Sequence, residues 1–372
     1  MFFILGICIA IFLVLLLLLK RNKSRADKVL VIWLCLMAIH QALFYHQITG
    51  LTFEIPQLLG VLMPLPVLHG MLLYFYVIEA TGKGRIKVGT RLLHFIPFTL
   101  LCLFLIPFLI LSPDQKIYIF QNDGIGFEWY MIMHQTVMLI CGIGYSLWTL
   151  YLIKKHQKNI QTTFSNTDKK ELQWLRYLSV GLGIIWVLAI FFDEMVIFSG
   201  IVVFVLFIGI FGINQMNIFS TVQIIDPEDK KGNITSDQNS IAQEKKRYAK
   251  SGLSEEMAEQ IYAHLKNIMP KEELYKQDNL TLSELAKCLN VHPNHLSQVI
   301  NEKENKNFYN YINSLRIKEF IRLASQPENK KFTLMSLAYD CGFNSKSTFN
   351  KHFKLYTHKT PSDFFKDKRS VN

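Results

Sequence analysis

Seven apolar runs, each long enough to cross a bilayer, crowd the first 215 residues and leave the chain few other ways to fold. A spanning helix needs about 20 mostly apolar residues. Segments 2–19, 28–48, 57–80, 91–112, 128–153, 172–192 and 195–215 meet that requirement. Only Asp193 and Glu194 part the last two, which predicts a tight turn. The first run has no basic leader and no small-residue cleavage site before Lys20. It reads as an uncleaved span rather than a signal peptide.

Charge between the runs orients them. The first, third and fifth loops hold 14 basic residues: Lys20, Arg21, Lys23, Arg25 and Lys28; Lys83, Arg85, Lys87 and Arg91; Lys154, Lys155, Lys158, Lys169 and Lys170. The second, fourth and sixth loops share one, Lys116, and hold Glu54, Asp114, Asp123, Glu128, Asp193 and Glu194. Basic loops stay in the cytoplasm, so the N-terminus is expected outside and the segment after the seventh run inside.

Ionisable side chains at membrane depth are costly and mark candidate functional positions. His40, His46, His69 and His134 are the candidate sensing residues for a signal ligand, a proton or a metal. The plainer reading has them hydrogen-bonding between helices or sitting at the interface, and spacing alone does not bring them together. Glu79 is the one carboxylate well inside an apolar run, near its inner end. Pro64 and Pro66 remove backbone donors in the outer half of the third run, which can open a cavity there.

The composition changes near residue 220. Up to there the chain has 16 Lys/Arg and 10 Asp/Glu; from 221 it has 24 and 19, in the mixed pattern of a soluble domain. The segmentation expected is a seven-span domain over 1–219, a flexible cytoplasmic linker over 220–253, a coupling helix over 254–274 and a further domain over 275–372. Residues 303–372 hold 14 basic and 6 acidic side chains, so the C-terminal end is polarised toward an anionic partner. The six cysteines show no CxxC spacing, and neither a disulfide framework nor a zinc site follows. No phosphate-binding loop, kinase signature or metal-ligand cluster points to catalysis, and no cofactor is implied.

Ser254, followed by Glu255 and Glu256, starts the coupling helix, with Met257, Ile261, Leu265 and Ile268 on one face and Pro270 expected to end it. Thr281-Leu282-Ser283-Glu284 is a capping box opening a short helix that buries Leu282, Leu285, Ala286 and Leu289. Asn290 suits a left-handed turn, and Pro293 suits the first position of the next helix, which buries Leu296, Val299 and Ile300. Two short helices on a three- or four-residue turn make a helix-turn-helix. The second turns Asn294, Ser297, Gln298 and Asn301 outward, short polar side chains able to reach base edges. A longer amphipathic helix over 308–325 carries Arg316, Lys318 and Arg322.

The unit then repeats about 52 residues on. Phe332-Thr333-Leu334-Met335-Ser336-Leu337-Ala338 parallels Leu280-Thr281-Leu282-Ser283-Glu284-Leu285-Ala286, although Ser336 replaces the box glutamate. Gly342 gives the turn, and Phe349 and Phe353 anchor the next helix inward, with Lys346, Ser347, Asn350, Lys351 and Lys354 on its other face.

At these residues the chain resembles the AraC/XylS-type transcription regulators, over roughly 275–368. The likeness is most specific at Gly342-Phe343-Asn344-Ser345-Lys346-Ser347-Thr348-Phe349-Asn350-Lys351-His352-Phe353-Lys354 and at Thr360-Pro361-Ser362-Asp363-Phe364. His295-Leu296-Ser297 and Arg316-Ile317-Lys318-Glu319 also match. The resemblance implies two helix-turn-helix units joined by a long helix, and the seven apolar runs before them make the chain look like the membrane-bound subgroup of that family: an all-α chain with a seven-span membrane domain followed by a cytoplasmic double helix-turn-helix domain. It implies double-stranded DNA as partner, read in successive major-groove segments. Carried over by position, base-edge contacts come from Asn294, Ser297 and Gln298 in the first unit. In the second they come from Lys346, Ser347, Thr348 and Lys351. Lys303, Arg316, Lys318, Arg322, Asn350 and Lys354 are the expected phosphate contacts. Three departures stand out: His358 replaces a turn glycine, Phe320 a customary alanine and His292 a capping serine.

The expected function is a membrane-bound, sequence-specific transcription regulator in the bacterial cytoplasmic (inner) membrane. Its further expected partners are the lipid bilayer, an unknown signal ligand, RNA polymerase and a second copy of itself. The competing reading is a multi-span transporter or membrane enzyme with the DNA-binding module as a regulatory appendage. Inverted repeats with broken helices or intramembrane carboxylate pairs would favour it, and neither is evident. A third is a tethered factor released by cleavage between 220 and 253.

Overall fold

The computed structural model describes residues 1–82, 87–167, 172–219 and 253–369, of which 212–219 and 367–369 are described by backbone alone. The linker expected over 220–253 therefore lies, but for its last residue, outside the described residues, as do Lys83, Arg85, Lys169 and Lys170 of the basic loops. Every regular element among the described residues is helical. The chain divides into two compact units. One comprises residues 1–155 and 172–224, the other 156–171 and 225–372.

In the first unit, α1 (Phe2–Leu19) and α2 (Arg25–Ile48) form the first two apolar helices. Ser24 starts α2 with a capping box: its hydroxyl accepts from the Asp27 amide while Asp27 accepts from the Ser24 amide. The third run does not form the helix expected over 57–80. Short 3₁₀ turns at Leu51–Phe53 and Pro56–Leu58 come first, and α3 (Pro66–Ala80) starts only at Pro66. Pro64 and Pro66 supply no backbone N–H, and proline belongs in the first turn of a helix, so the helix begins where the prolines end.

The fourth run is also divided, into α4 (Val88–Leu93) and α5 (Ile96–Leu109). A further helix, α6 (Pro113–Gln121), bends away from α5 by 111° in the expected loop between the fourth and fifth runs. Helix α7 (Glu128–Thr163) continues ten residues past the expected end at 153. Lys154, Lys155 and Lys158 do not stop it, because lysine is a good helix former. Helices α8 (Gln173–Phe191) and α9 (Glu194–Phe219) meet at the expected tight turn, where the Asp193 carboxylate accepts from the Val196 amide. Five of the described helices are long and apolar enough to cross a membrane, six if α5 and α6 count as one bent span; α3 is a shorter apolar helix. The core of this unit gathers Trp33, Leu34, Met37, Leu73, Val77, Leu175, Leu178, Val202 and Val205.

In the second unit, α10 (Glu255–Glu272) starts at the Ser254 cap as expected but runs through Pro270. A proline in the last turn forfeits only its own backbone bond, and the helix ends instead at Glu273, whose φ is +46°. Helices α11 (Leu282–Cys288), α12 (Pro293–Glu304), α13 (Phe308–Ala324), α14 (Leu334–Asp340), α15 (Lys346–Thr357) and α16 (Pro361–Arg369) follow. Two cores share α13. Phe308, Tyr311 and Ile312 close over Leu265, Leu285, Leu296 and Val299; Ile317 and Phe320 close over Leu337, Phe343, Phe349 and Phe353. Fully burying one such side chain contributes about 1.5–3 kcal/mol, so each core outweighs the capping terms that shape its helix ends.

Candidate functional sites

The first helix-turn-helix is α11 and α12, joined through Asn290 in the left-handed region at φ +54°. Its capping box is complete: the Glu284 amide donates to Thr281 Oγ1 at 3.2 Å, and Glu284 Oε2 accepts from the Thr281 amide at 2.8 Å. His292, standing where a capping serine is customary, does that work with a ring nitrogen: its Nδ1 accepts from the Asn294 amide at 3.2 Å. The second unit is α14 and α15. Thr333 caps α14 through the Ser336 amide, and Ser345 caps α15 through the Thr348 amide.

Gly342 makes the second turn at φ +91°, and its α-carbon faces backbone so closely that a Cβ would lie 2.6 Å from the Lys276 carbonyl oxygen. Glycine is required there twice over, by conformation and by space. Phe320 fills the place of the customary alanine by becoming the hub of an aromatic cluster. Its ring centroid lies 4.6 Å from Phe349, 5.7 Å from Phe353 and 6.0 Å from Phe365.

The expected reading faces sort into three groups. Asn294, Lys346, Ser347, Asn350, Lys351 and Lys354 are exposed, and Ser297 and Asn301 are half-buried. Among the described residues none of the three α15 lysines pairs with a carboxylate; Lys351 lies over the Tyr309 ring at 5.9 Å. The α15 face therefore keeps its positive charge available for a polyanion. Gln298 and Thr348, expected at base edges, are buried, and Gln298 donates to Glu302 at 3.0 Å. Both follow the inward positions of their helices, beside Val299 and Phe349 respectively.

The expected phosphate contacts divide as well. Lys318 is exposed on α13, alongside Asn350 and Lys354 on α15. Lys303 instead bridges Glu255 and Glu259 of α10, which raises it above the ordinary lysine range. Arg322 holds both oxygens of Glu319 at 2.8 Å.

Arg316 is the clear correction. It is 1% exposed. Its guanidinium donates to the carbonyls of Tyr275 and Gln277 at 2.7 Å, to Asn313 Oδ1 at 3.2 Å and to Ser165 Oγ at 3.2 Å. Burial lowers it from the usual arginine value to about 10, so it stays cationic at neutral pH. Each such charge-assisted bond contributes about 1.5–3 kcal/mol, and turning the side chain out to a phosphate would leave buried carbonyls unsatisfied. The signal was present in the sequence: Phe308, Ile312, Arg316 and Phe320 recur every four residues on the apolar stripe of α13.

Ser165, one acceptor of that guanidinium, lies just past α7 and is itself part of the second unit. Its amide donates to the Leu280 carbonyl at 3.1 Å, beside an antiparallel bridge between Phe164 and Thr281. The sequence marks 154–170 only as a basic loop, and this strand-like pairing is a tertiary contact that local pattern does not carry.

In the first unit two of the four candidate sensing histidines meet. His40 Nδ1 and His69 Nε2 are 2.9 Å apart, both side chains buried, and the Trp33 indole donates to His69 Nδ1 at 3.1 Å. His134 bonds to the Met63 carbonyl and His46 to the Thr52 hydroxyl. Glu79 pairs with Arg91. Among the described residues no three potential ligands cluster as a metal site would need.

Residues 285–367 match the family model described as "Helix-turn-helix domain". Over 99 residues the chain is 30% identical to an uncharacterized HTH-type transcriptional regulator of Staphylococcus aureus (strain COL), covering 27% of this chain and 13% of that protein. Over 89 residues it is 30% identical to the Msm operon regulatory protein of Streptococcus mutans serotype c, covering 24% of this chain and 31% of that protein. The chain thus spans well under two thirds of either relative. No solved structure matches it. The C-terminal part of the chain is a helix-turn-helix domain of the kind found in transcriptional regulators.

Proposed function

We propose that the chain is a membrane-bound, sequence-specific transcription regulator whose two helix-turn-helix units read successive major-groove segments of one DNA site. The observation that carries this is the α15 face: Lys346, Ser347, Asn350, Lys351 and Lys354 exposed together on the second helix of a helix-turn-helix, its lysines unpaired. Lysines anchor phosphates and set affinity, while short polar groups at the base edges set sequence preference. Five helices long and apolar enough to cross a membrane support a multi-pass protein of the bacterial inner membrane; the seven-span reading takes α3 and the bent α5–α6 pair as its two further spans. The basic odd loops support a cytoplasmic C-terminus. The membrane unit acts as sensor of a signal ligand, RNA polymerase is the partner at the promoter, and a second copy occupies the adjoining half-site.

The test is selection of DNA from a random pool by the full-length protein in lipid nanodiscs at near-physiological salt. The reading expects an enriched motif of two elements about one helical turn apart. Recovery of no motif by well-folded protein overturns it.

A further inference from the structure

Helix α7 does not stop where its apolar stretch ends. From residue 156 onward it belongs to the second unit, and so does the segment that follows it. The Phe164 amide still donates to the Ile160 carbonyl at 2.9 Å, as a helical ladder requires. The next amide, that of Ser165, crosses to the Leu280 carbonyl at 3.1 Å. No spare residue separates the helix from the strand-like pairing.

Ser165 is 1% exposed and Thr167 not at all. Polar groups go inside only where partners wait for them. For Ser165 those partners lie 148 and 151 residues further along the chain. Its carbonyl accepts from Asn313 Nδ2 at 3.2 Å and from Arg316 Nη1 at 3.4 Å, and its hydroxyl accepts from Arg316 Nη2 at 3.2 Å. Asn313 and Arg316 are three positions apart on one face of α13, and both are buried. Thr281, opposite Phe164 in the bridge, is the cap of α11. The segment thus touches the start of the first helix-turn-helix and the helix that both cores share.

We propose that the groove between Leu280–Thr281 and the Asn313–Arg316 face of α13 is a docking site whose occupant is the 164–167 segment. This attachment fastens the DNA-binding domain to the end of α7 independently of the 220–253 connection. It rests on the membrane-bound reading for what α7 is fixed in. Main-chain pairing and bonds from a charged guanidinium supply the affinity. In the intact chain a covalent connection of that length holds groove and segment at an effective concentration on the order of millimolar, so the groove stays filled. Cutting that connection therefore does not by itself free the domain, contrary to the reading of a factor released by cleavage.

The experiment uses full-length protein carrying a site-specific protease sequence after Gly232, in phosphatidylcholine nanodiscs held on resin through their scaffold protein. A lipid without net charge leaves the basic domain no anionic surface to bind. After complete cleavage the wild-type fragment is expected to stay on the resin through washing. Ser165→Ala removes one charge-assisted bond and should release the fragment about tenfold faster. Ser165→Lys sets a second cation against Arg316 where there is no room for it, and should speed release at least about a hundredfold. Circular dichroism of the released fragments checks that they remain helical.

Release of the wild-type fragment as fast as that of Ser165→Lys overturns the proposal. So does equal retention of the two, which would place the attachment elsewhere. Full-length protein that needs no nanodisc to stay in solution would sink the membrane reading instead. The docking would then be decided by whether the two cleaved pieces co-elute in the wild type and separate in Ser165→Lys.

Discussion

Arg316 donates to Ser165 twice, reaching its carbonyl at 3.4 Å through Nη1 and its hydroxyl at 3.2 Å through Nη2. The residue that sequence reasoning offered to a DNA phosphate is spent inside the domain. It ties together Ser165, the 275–278 turn and α13. Arg316→Lys keeps the charge but cannot span those acceptors. We expect it to lower the stability of the second unit by about 2–4 kcal/mol. Hydrogen-exchange protection of the α11 to α13 amides is the measurement; unchanged protection would sink this account.

Gly342→Ala places a methyl 2.6 Å from the Lys276 carbonyl oxygen on a backbone at φ +91°. The change should cost more than about 2 kcal/mol and loosen α14 and α15 before the first helix-turn-helix. DNA selected by the variant should retain preference in one half of the site and lose it in the other. Equal loss in both halves would contradict the two-core arrangement.

His358 ends α15 in the left-handed region, at φ +60°. A residue with a Cβ is strained there by about 1–2 kcal/mol, and the position is exposed, so the imidazole recovers little by packing. His358→Gly is expected to stabilise the second unit by about 1 kcal/mol, read as a raised urea midpoint of its unfolding transition. A lowered midpoint would mean that the ring makes a contact worth more than the strain.

Lys351 and Lys354 separate two roles on one helix. Lys351→Ala should weaken DNA binding by about 1–3 kcal/mol and relax preference within one half-site. Lys354→Ala should weaken all sequences alike and reduce the salt slope by about one counterion. Binding measured against the selected site and a scrambled one, across salt, distinguishes them. A uniform loss in Lys351→Ala would make it a phosphate contact.

Glu319 gives the second unit an acid limit. The paired Arg322, with Lys276 at 3.3 Å, holds its carboxyl below the usual 4.5, against the opposing pull of burial. A carboxyl bound more tightly as the anion in the folded state contributes stability that is complete above the unfolded value. That contribution is lost as pH falls through the lower folded value. Unfolding midpoints should hold steady above about pH 5 and fall below it, and Glu319→Gln should flatten that decline. An unaltered profile in the variant would assign the acid sensitivity to other carboxylates.

Sequence alone determined the local grammar of this protein. Apolar runs marked the long apolar helices α1, α2, α7, α8 and α9, though not the breaks in the third and fourth runs, because a helix apolar all round has no face to give to water; caps at Ser254, Thr281 and Thr333 set helix starts, because orphan amides need an acceptor nearby in the chain. The left-handed turn at Asn290 and the exposed lysines of α15 were equally legible, being consequences of residues three or four positions apart. What tertiary structure decided was everything that depends on residues far apart in the chain. It brought Trp33, His69 and His40 into one hydrogen-bonded chain, and it buried Arg316 under carbonyls from two other segments. It set Phe320 among three rings and laid Ser165 along Leu280. Those outcomes depend on which surfaces meet, and periodicity names the face a side chain occupies without naming what packs against it.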